Sequence, residues 1–362
     1  MNDRTALLLS GGVDSSVALH LLTEQGIRPD LYYIRIGADE EGFEGCSRED
    51  DEVMVKWLAR RYGLRLELVS LHREYWDYVV RYMIDTVREG KTPHPDMLCN
   101  RVIKFGYFDA YWGGAYDRIA TGHYADKVTA PDGLDYLATA ADPLKDQTDF
   151  LAQITYPQLR KATFPLGRLT KETVRKIAER EGLLTARRRD SQGICFLGKV
   201  NYNDFLRKYL GTRPGDIIEL ETGKKLGTHD GYWFHTIGQR HGLGLSGGPW
   251  FVVRKEIPTN TLFVSRGYDP VEQYGDVVEM GEMNYITRDP FPDGAAEIPV
   301  TFKVRHTPDF ASGTLVRNSD GTCRLLSDSL IQGIAPGQFC TLYDSESRIC
   351  YGSGLITGGD RR

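Results

Sequence analysis

Residues 10–16 read SGGVDSS, between the apolar run Ala6-Leu7-Leu8-Leu9 and a helical stretch over 17–22. The N–H groups that open a helix are unsatisfied and carry the positive end of its dipole, so a glycine-rich turn at that place binds phosphate. Gly11 and Gly12 permit close backbone approach, and Ser10, Ser15 and Ser16 add hydroxyls. The spacing is neither the Walker pattern, whose lysine is missing, nor GxGxxG. Taken bare, the Gly-Gly pair is better read as a strand-to-helix turn capped by serine.

Thiols are the second source of chemistry. The six cysteines, Cys46, Cys99, Cys195, Cys323, Cys340 and Cys350, are scattered, and none forms a CxxC pair. Zinc ribbons and sequence-local iron–sulfur sites are therefore not expected. Cys99 lies in TPHPDMLCN, a stretch rich in Pro, Asp and Asn that reads as a loop, and there reactivity and burial are equally good readings. Cys195, between Ile194 and Phe196, reads locally as a core strand residue. The other four are expected to be structural. Asp96, three residues before Cys99, suits an acid or base and equally a turn-forming Asp after Pro95.

These groups need a scaffold. Over the first 200 residues strand and helix signals alternate, which predicts a parallel sheet covered by helices. Strands are expected at 5–9, 31–36, 64–71 and 118–121, and helices at 15–25, 47–62, 74–89 and 171–181. Each of those helices ends at a glycine (Gly26, Gly63, Gly90, Gly182) placed as a left-handed cap. A further helix is expected in NYNDFLRKYLG, followed by β-forming sequence to about residue 268. From 276 to 356, short alternating runs separated by turns at Asp293-Gly294, 318–321 and 335–337 predict a small barrel. The expected class is α/β, with a nucleotide-binding domain over 1–200, a small middle domain over 201–272 and a C-terminal β-barrel over 273–362.

With 362 residues and a net charge of −5, the chain has ample length for several cores and no overall bias toward nucleic acid. No apolar run reaches membrane-spanning length, and the N-terminal apolar stretch is too short for a signal peptide, so cytoplasmic residence without a membrane partner is expected. Charge is segregated: 39–52 is acidic, and Arg187-Arg188-Arg189 form a basic run.

SGGVDS resembles the SGGxDS signature of the pyrophosphate-loop ATPases, which cleave ATP between its α and β phosphates and adenylate an oxygen. That likeness implies ATP as cosubstrate, with Asp14 helping to hold Mg²⁺ beside the departing pyrophosphate. Together with 92–106, ATGHY at 121–125, KDQTDFL at 145–151, FPLG at 164–167, DSQGICFLG at 190–198 and HTIGQRHGLG at 235–244, it is similar to the tRNA-specific 2-thiouridylase family. Members replace O2 of the wobble uridine with sulfur. The resemblance implies that Cys195 carries a persulfide and that Cys99 is its partner nucleophile, the two ending as a transient disulfide. It further implies ATP contacts at Leu8, Leu9, Ser10, Gly11, Gly12, Val13, Asp14, Ser15, Ile34 and Gly122. Target-base contacts fall on His94, Pro95 and Asp96, where the family usually has Asn at the first position. Lys145, Asp146 and Gln147, with Arg305 and His306, match tRNA-contacting positions; the second of the latter pair is usually Tyr. Arg187, Arg188 and Arg189 are placed to meet tRNA phosphate, and the acidic 39–52 segment should face away from it. A cysteine desulfurase or relay protein is the implied sulfur donor. The rival readings are a small-molecule amidotransferase or ligase of the same loop class, which would need neither cysteine, and a non-catalytic tRNA-binding protein.

Overall fold

The computed structural model describes residues 3–36, 48–190, 201–267 and 274–362. At its centre is a five-stranded parallel sheet in the order β3-β2-β1-β4-β7: β1 (Thr5–Leu8), β2 (Asp30–Arg35), β3 (Leu66–Ser70), β4 (Arg118–Ala120) and β7 (Ala162–Thr163). All four residues of β1 are buried. Ala6 and Leu8 join one apolar cluster while Leu7 joins the other, because helices cover both faces of a parallel sheet. On one face lie α1 (Val13–Glu24), α2 (Arg48–Tyr62) and α5 (Lys171–Arg180), through Val17, Leu58 and Val174. The other face carries α3 (residues 72–88) and α4 (residues 95–111), through Val79, Met83, Ile103 and Phe108. Gly26, Gly63, Gly90 and Gly182, predicted as caps, all have left-handed φ.

α4 departs from the expected loop. His94 caps it by accepting Met97 N–H at Nδ1 (3.3 Å), and Pro95 takes the first helical position, where a missing N–H costs nothing. Across Cys99–Tyr107 the helix widens to an i to i+5 ladder. Gln158 Nε2 serves the carbonyls of Arg101 (2.8 Å) and Phe105 (3.0 Å) there. Gly106 is needed in that turn, since a Cβ would stand 2.8 Å from the Arg101 oxygen.

The middle region carries a helix, Tyr202–Leu210, and a four-stranded sheet over Gly215–Glu219, Lys225–His229, Trp250–Glu256 and Thr261–Arg266. It caps the C-terminal end of α3: Tyr232 Oη donates to the Arg88 carbonyl, and Lys255 Nζ to that of Gly90 at 3.0 Å. Burial there pushes the Lys255 ammonium down to about 8.

Six antiparallel strands between Tyr274 and Asp360 close into a barrel, with Tyr274–Tyr285 pairing to Ile349–Asp360. Gly294, Gly321 and Gly337, each in a turn read from sequence, have left-handed φ. A hairpin of the first domain, β5 (Asp126–Thr129) and β6 (Asp135–Ala138), extends the barrel sheet through Leu137↔Cys350 and Ala138↔Ile349. Behind it Asp146 and Lys303 face each other at 3.7 Å with side chains 3% and 2% exposed. Asp146 Oδ1 accepts from Ala140 N (2.8 Å) and Thr148 Oγ1 (2.5 Å), while Oδ2 has no hydrogen bond. Burial raises its pKa against those bonds and the Lys303 charge.

Removing one member of a buried pair leaves an uncompensated charge. Lys303→Met is therefore expected to cost about 3 kcal/mol in urea unfolding, and adding Asp146→Asn should recover most of it. A double variant as unstable as the single would show that the carboxylate is not the cause.

Candidate active site

In an open parallel sheet, ligands bind beyond the strand carboxyl ends, where the chain order reverses. Here that place is the crevice between β1 and β4, neighbours in the sheet with connections running in opposite directions. The turn after β1 is the glycine loop, and the turn after β4 contains Gly122. A Cβ on Gly122 would stand 2.8 Å from Ser15 N and 3.0 Å from Ser15 Cα, so the two turns touch backbone to backbone. Leu8, Leu9 and Val13 are buried, leaving their main chain to face the crevice, and Ile34 lies on the adjoining β2.

Within the loop the serines divide their work. Ser15 and Ser16 are buried and donate to the Gly12 carbonyl at 3.2 and 2.8 Å, which holds the first turn of α1. Ser10 is the exposed hydroxyl. The α1 N–H groups, with Gly11 at φ +75° and no side chain in the way, form a cradle suited to a nucleotide phosphate chain.

Asp14 lies in that first turn. Both its oxygens accept from Lys171 Nζ, at 2.7 and 2.8 Å, and Oδ1 also accepts Tyr124 Oη at 2.8 Å. Lys171, 13% exposed, also reaches Asp190 at 2.8 Å, where Lys145 (2.9 Å) and Arg175 (2.6 Å) converge. Burial works to raise the Asp190 pKa, but the bonds and charges of Lys171 and Lys145 outweigh it and hold the carboxyl well below the usual range. Burial and then the Asp14 charge push the Tyr124 phenol far up, so it remains a donor. Sequence reading missed Lys171, Tyr124 and Asp190, because Lys171 and its partner Asp14 are 157 positions apart and neither has a local signature.

No group of three or more potential metal ligands gathers among the described residues, and Asp14 is committed to Lys171. These side chains do not build a magnesium site of their own.

Cys99 is 2% exposed, within the cluster that includes Leu8, Tyr32, Met97 and Ile103. This corrects the loop reading, since Pro95 and His94 start a helix and turn Cys99 toward the sheet. Its neighbour Asn100 donates to the Phe150 carbonyl (2.9 Å) and accepts Lys104 Nζ (2.9 Å). Lys104 in turn acts on His123, beside Gly122, whose imidazole pKa burial and that charge hold well below the usual value. The α4 helix flanks the β4 turn, since Phe105 and His123 both meet the Phe164 ring at 6.4 Å between centres. Cys195 and Cys46 lie outside the described residues, as does all of 191–200.

The remaining expected contacts are placed as follows. His94 meets Phe150 edge to face and His306 packs tilted against the same ring, with ring centres 5.4 and 4.7 Å apart, and His306 Nδ1 lies 2.9 Å from Asp149 Oδ2. His306 is 44% exposed at its side chain, and Arg305 beside it donates to the Gln332 carbonyl. Gln147 Oε1 accepts Tyr124 N–H at 3.0 Å, Lys145 pairs with Asp190, and Asp146 is the buried partner of Lys303. Asp96 acts electrostatically on His94. Arg187 and Arg189 are exposed, whereas Arg188 faces Gly11 and Asp51. The described acidic residues 49–52 therefore include one lying against the glycine loop.

Residues 3–199 match a family model described as a tRNA methyl transferase HUP domain, 203–266 a tRNA methyl transferase PRC-barrel domain, and 277–356 an aminomethyltransferase beta-barrel domain. The chain is 57% identical over 352 residues to a protein of Bacteroides thetaiotaomicron named tRNA-specific 2-thiouridylase MnmA 1, covering 97% of this chain and 99% of that one. A Porphyromonas gingivalis protein named tRNA-specific 2-thiouridylase MnmA is 57% identical over 359 residues, 98% and 99% of the two chains. One of Listeria welshimeri with the same name is 40% identical over 98% of this chain and 94% of its own.

The two histidines flanking Phe150 are pushed in opposite directions. Burial lowers His94 against the charges of Asp96 and Asp149, so its neutral Nδ1 remains an acceptor. The bond to Asp149 outweighs burial and raises His306. His306 therefore stabilises the fold fully below about 6.5 and loses that contribution as pH rises through its higher folded value. His94 contributes above about 6.5 and loses it as pH falls through its lower one. An imidazole NMR titration should show midpoints on opposite sides of that value, and two midpoints on one side would contradict the assignment.

Proposed function

The chain belongs to the tRNA-specific 2-thiouridylase family and is an ATP-dependent tRNA-uridine 2-sulfurtransferase, and from that premise we propose how its residues bring sulfur to the base. The carrying observation is the backbone contact of Gly122 with the glycine loop, with the Cys99-bearing helix alongside through Phe105 and His123, which both meet the Phe164 ring. ATP is held at Leu8–Ser15, Ile34 and Gly122, its phosphates on the α1 N–H groups. Mg²⁺ travels with the nucleotide and offsets charge on its phosphates when bound.

O2 of the wobble uridine attacks the α phosphorus, pyrophosphate leaves, and the oxygen becomes part of a good leaving group, AMP. His94, Pro95 and Asp96 receive the flipped base, with Asp96 as the acid or base near the carbonyl. A sulfur donor, a cysteine desulfurase or a relay protein, loads Cys195 with a persulfide. In one route its outer sulfur attacks C2, AMP departs, and Cys99 then attacks the inner sulfur. The S–S electron pair stays with the sulfur on C2, giving 2-thiouridine and a Cys99–Cys195 disulfide that an external thiol reduces. In the other, Cys99 first frees hydrosulfide, which attacks C2; the disulfide is the same. Because Cys99 is buried, its thiol must become accessible during the cycle.

Gripping the RNA falls to Lys145, Gln147, Arg187, Arg189, Arg305 and His306, with the middle and barrel domains around the stem. No helix among the described residues is long and apolar enough to cross a membrane, and the reading places the enzyme in the cytoplasm with its tRNA.

Given ATP, Mg²⁺, a persulfide donor and under-thiolated tRNA, the enzyme should produce 2-thiouridine, detected by nucleoside mass spectrometry; none after complete reaction would end this reading. Cys195→Ser is expected to abolish transfer while tRNA affinity, measured by filter binding, stays within about twofold. Full activity in that variant would remove Cys195 from the mechanism.

A further inference from the structure

The run Arg187-Arg188-Arg189 does not present a single face. Arg187 and Arg189 are exposed, while the Arg188 guanidinium turns inward. Its Nη1 donates to the Gly11 carbonyl at 2.7 Å and its Nη2 to Asp51 Oδ1 at 2.6 Å. Gly11 and Asp51 are themselves in tight contact, since a Cβ on Gly11 would stand 3.0 Å from both Cα and the carbonyl oxygen of Asp51. One side chain therefore ties together the glycine loop, the first turn of α2 and the 187–190 stretch.

The planarity of the peptide unit gives this tie its consequence. In a trans peptide the carbonyl of one residue and the N–H of the next point in opposite directions. Fixing the Gly11 carbonyl toward Arg188 therefore aims the Gly12 N–H the other way. Among the described residues that N–H makes a long contact, 3.4 Å, to the exposed Ser10 hydroxyl, which a stronger acceptor can replace. With φ of +75° and no side chain, Gly11 has little of its own to hold this orientation. The turn that carries Arg188 is also braced, because Arg175 Nη1 donates to the carbonyls of Ala186 and Arg188, each at 2.7 Å, and its Nη2 to Asp190.

We propose that Arg188 is a positioning residue of the ATP site, orienting the Gly11–Gly12 peptide toward the nucleotide's phosphates, and that it takes no part in binding tRNA phosphate. This rests on the glycine loop being the ATP cradle. The basic run is then split in function: Arg188 serves the nucleotide, and Arg187 and Arg189 serve the RNA.

The test titrates the full-length enzyme with an ATP analogue carrying a methylene between the α and β phosphates, alongside tRNA binding over a salt series. Arg188→Ala should weaken analogue binding about tenfold, the size expected for losing a charge-assisted hydrogen bond, and leave tRNA affinity and its salt slope unchanged. In turnover it should raise KM for ATP more than it lowers kcat. Arg188→Lys should recover part of the loss, because an ammonium lacks the two-pronged geometry. The double variant Arg187→Ala/Arg189→Ala should do the reverse, keeping analogue affinity while weakening tRNA binding and flattening its salt slope. Should Arg188→Ala fail to fold, Asp51→Asn and Arg188→Lys carry the comparison, and both should weaken the analogue. Unchanged analogue affinity in the folded Arg188 variants, or a loss confined to tRNA, overturns the proposal. Failure of the wild-type enzyme to bind the analogue instead overturns the reading of the loop.

Discussion

At Gly122 the turn after β4 approaches the first turn of α1 so closely that a methyl group would collide with the Ser15 backbone. This contact sets the width of the crevice at the switch point of the sheet, and the rest of the site is organised around it. On one side it brings α1, with its N–H groups and Asp14, to the mouth of the crevice; on the other it brings Tyr124 to Asp14. Asp14 and Asp190 then gather Lys171, Lys145 and Arg175, and Asp142 accepts the Lys171 backbone N–H at 2.7 Å. The charges within this cluster balance, and the unsatisfied N–H groups that open α1 are what favour a polyphosphate. The lysine nearest the loop, Lys171, comes from α5 and is held by Asp14 and Asp190.

A second constraint acts at the entrance to α4. The stretch from Arg88 to Pro93 receives hydrogen bonds from both appended domains: Tyr232 and Lys255 of the middle region bond its first carbonyls, and Gln338 of the barrel bonds those of Thr92 and Pro93. Thr92 N–H in turn donates to the Pro336 carbonyl at 2.8 Å. The next residue is His94, which caps the helix carrying Cys99. A shift of either appended domain would therefore pull on the start of that helix. The barrel is locked in place by the shared hairpin and by the buried Asp146–Lys303 pair.

Much of the framework was legible in the residues. Strands β1 to β4 and helices α1, α2, α3 and α5 lie where periodicity places them, and the glycines that end those helices take left-handed φ. The α4 helix was not legible, because Pro93, His94, Pro95 and Asp96 crowd its entrance and resemble a loop. Only the capped geometry shows that Pro95 opens the helix and that Met97, Ile103 and Phe108 give it a buried face. The β5–β6 hairpin was missed as well, since its partner strand is more than 200 residues away. At the site, the glycine loop was legible as a motif, but the roles within it were not: Ser15 and Ser16 turn inward, and Arg188 serves the loop where its basic neighbours suggested RNA.

By itself, then, the amino-acid order determined the helix caps, the turns, the alternation that builds a parallel sheet, and a glycine-rich loop at the head of a helix. Those features follow from sterics and hydrogen bonds that act within a few residues, so they are written locally. Which charges meet was decided only by the tertiary structure. Arg188 and Gly11 are 177 positions apart, and Lys171 and Asp14 are 157 apart. A lysine or arginine looks the same in sequence whether it faces water or a carboxylate. Its partner is selected when packing of the sheet and helices removes both groups from solvent, and a charge out of solvent must be paired.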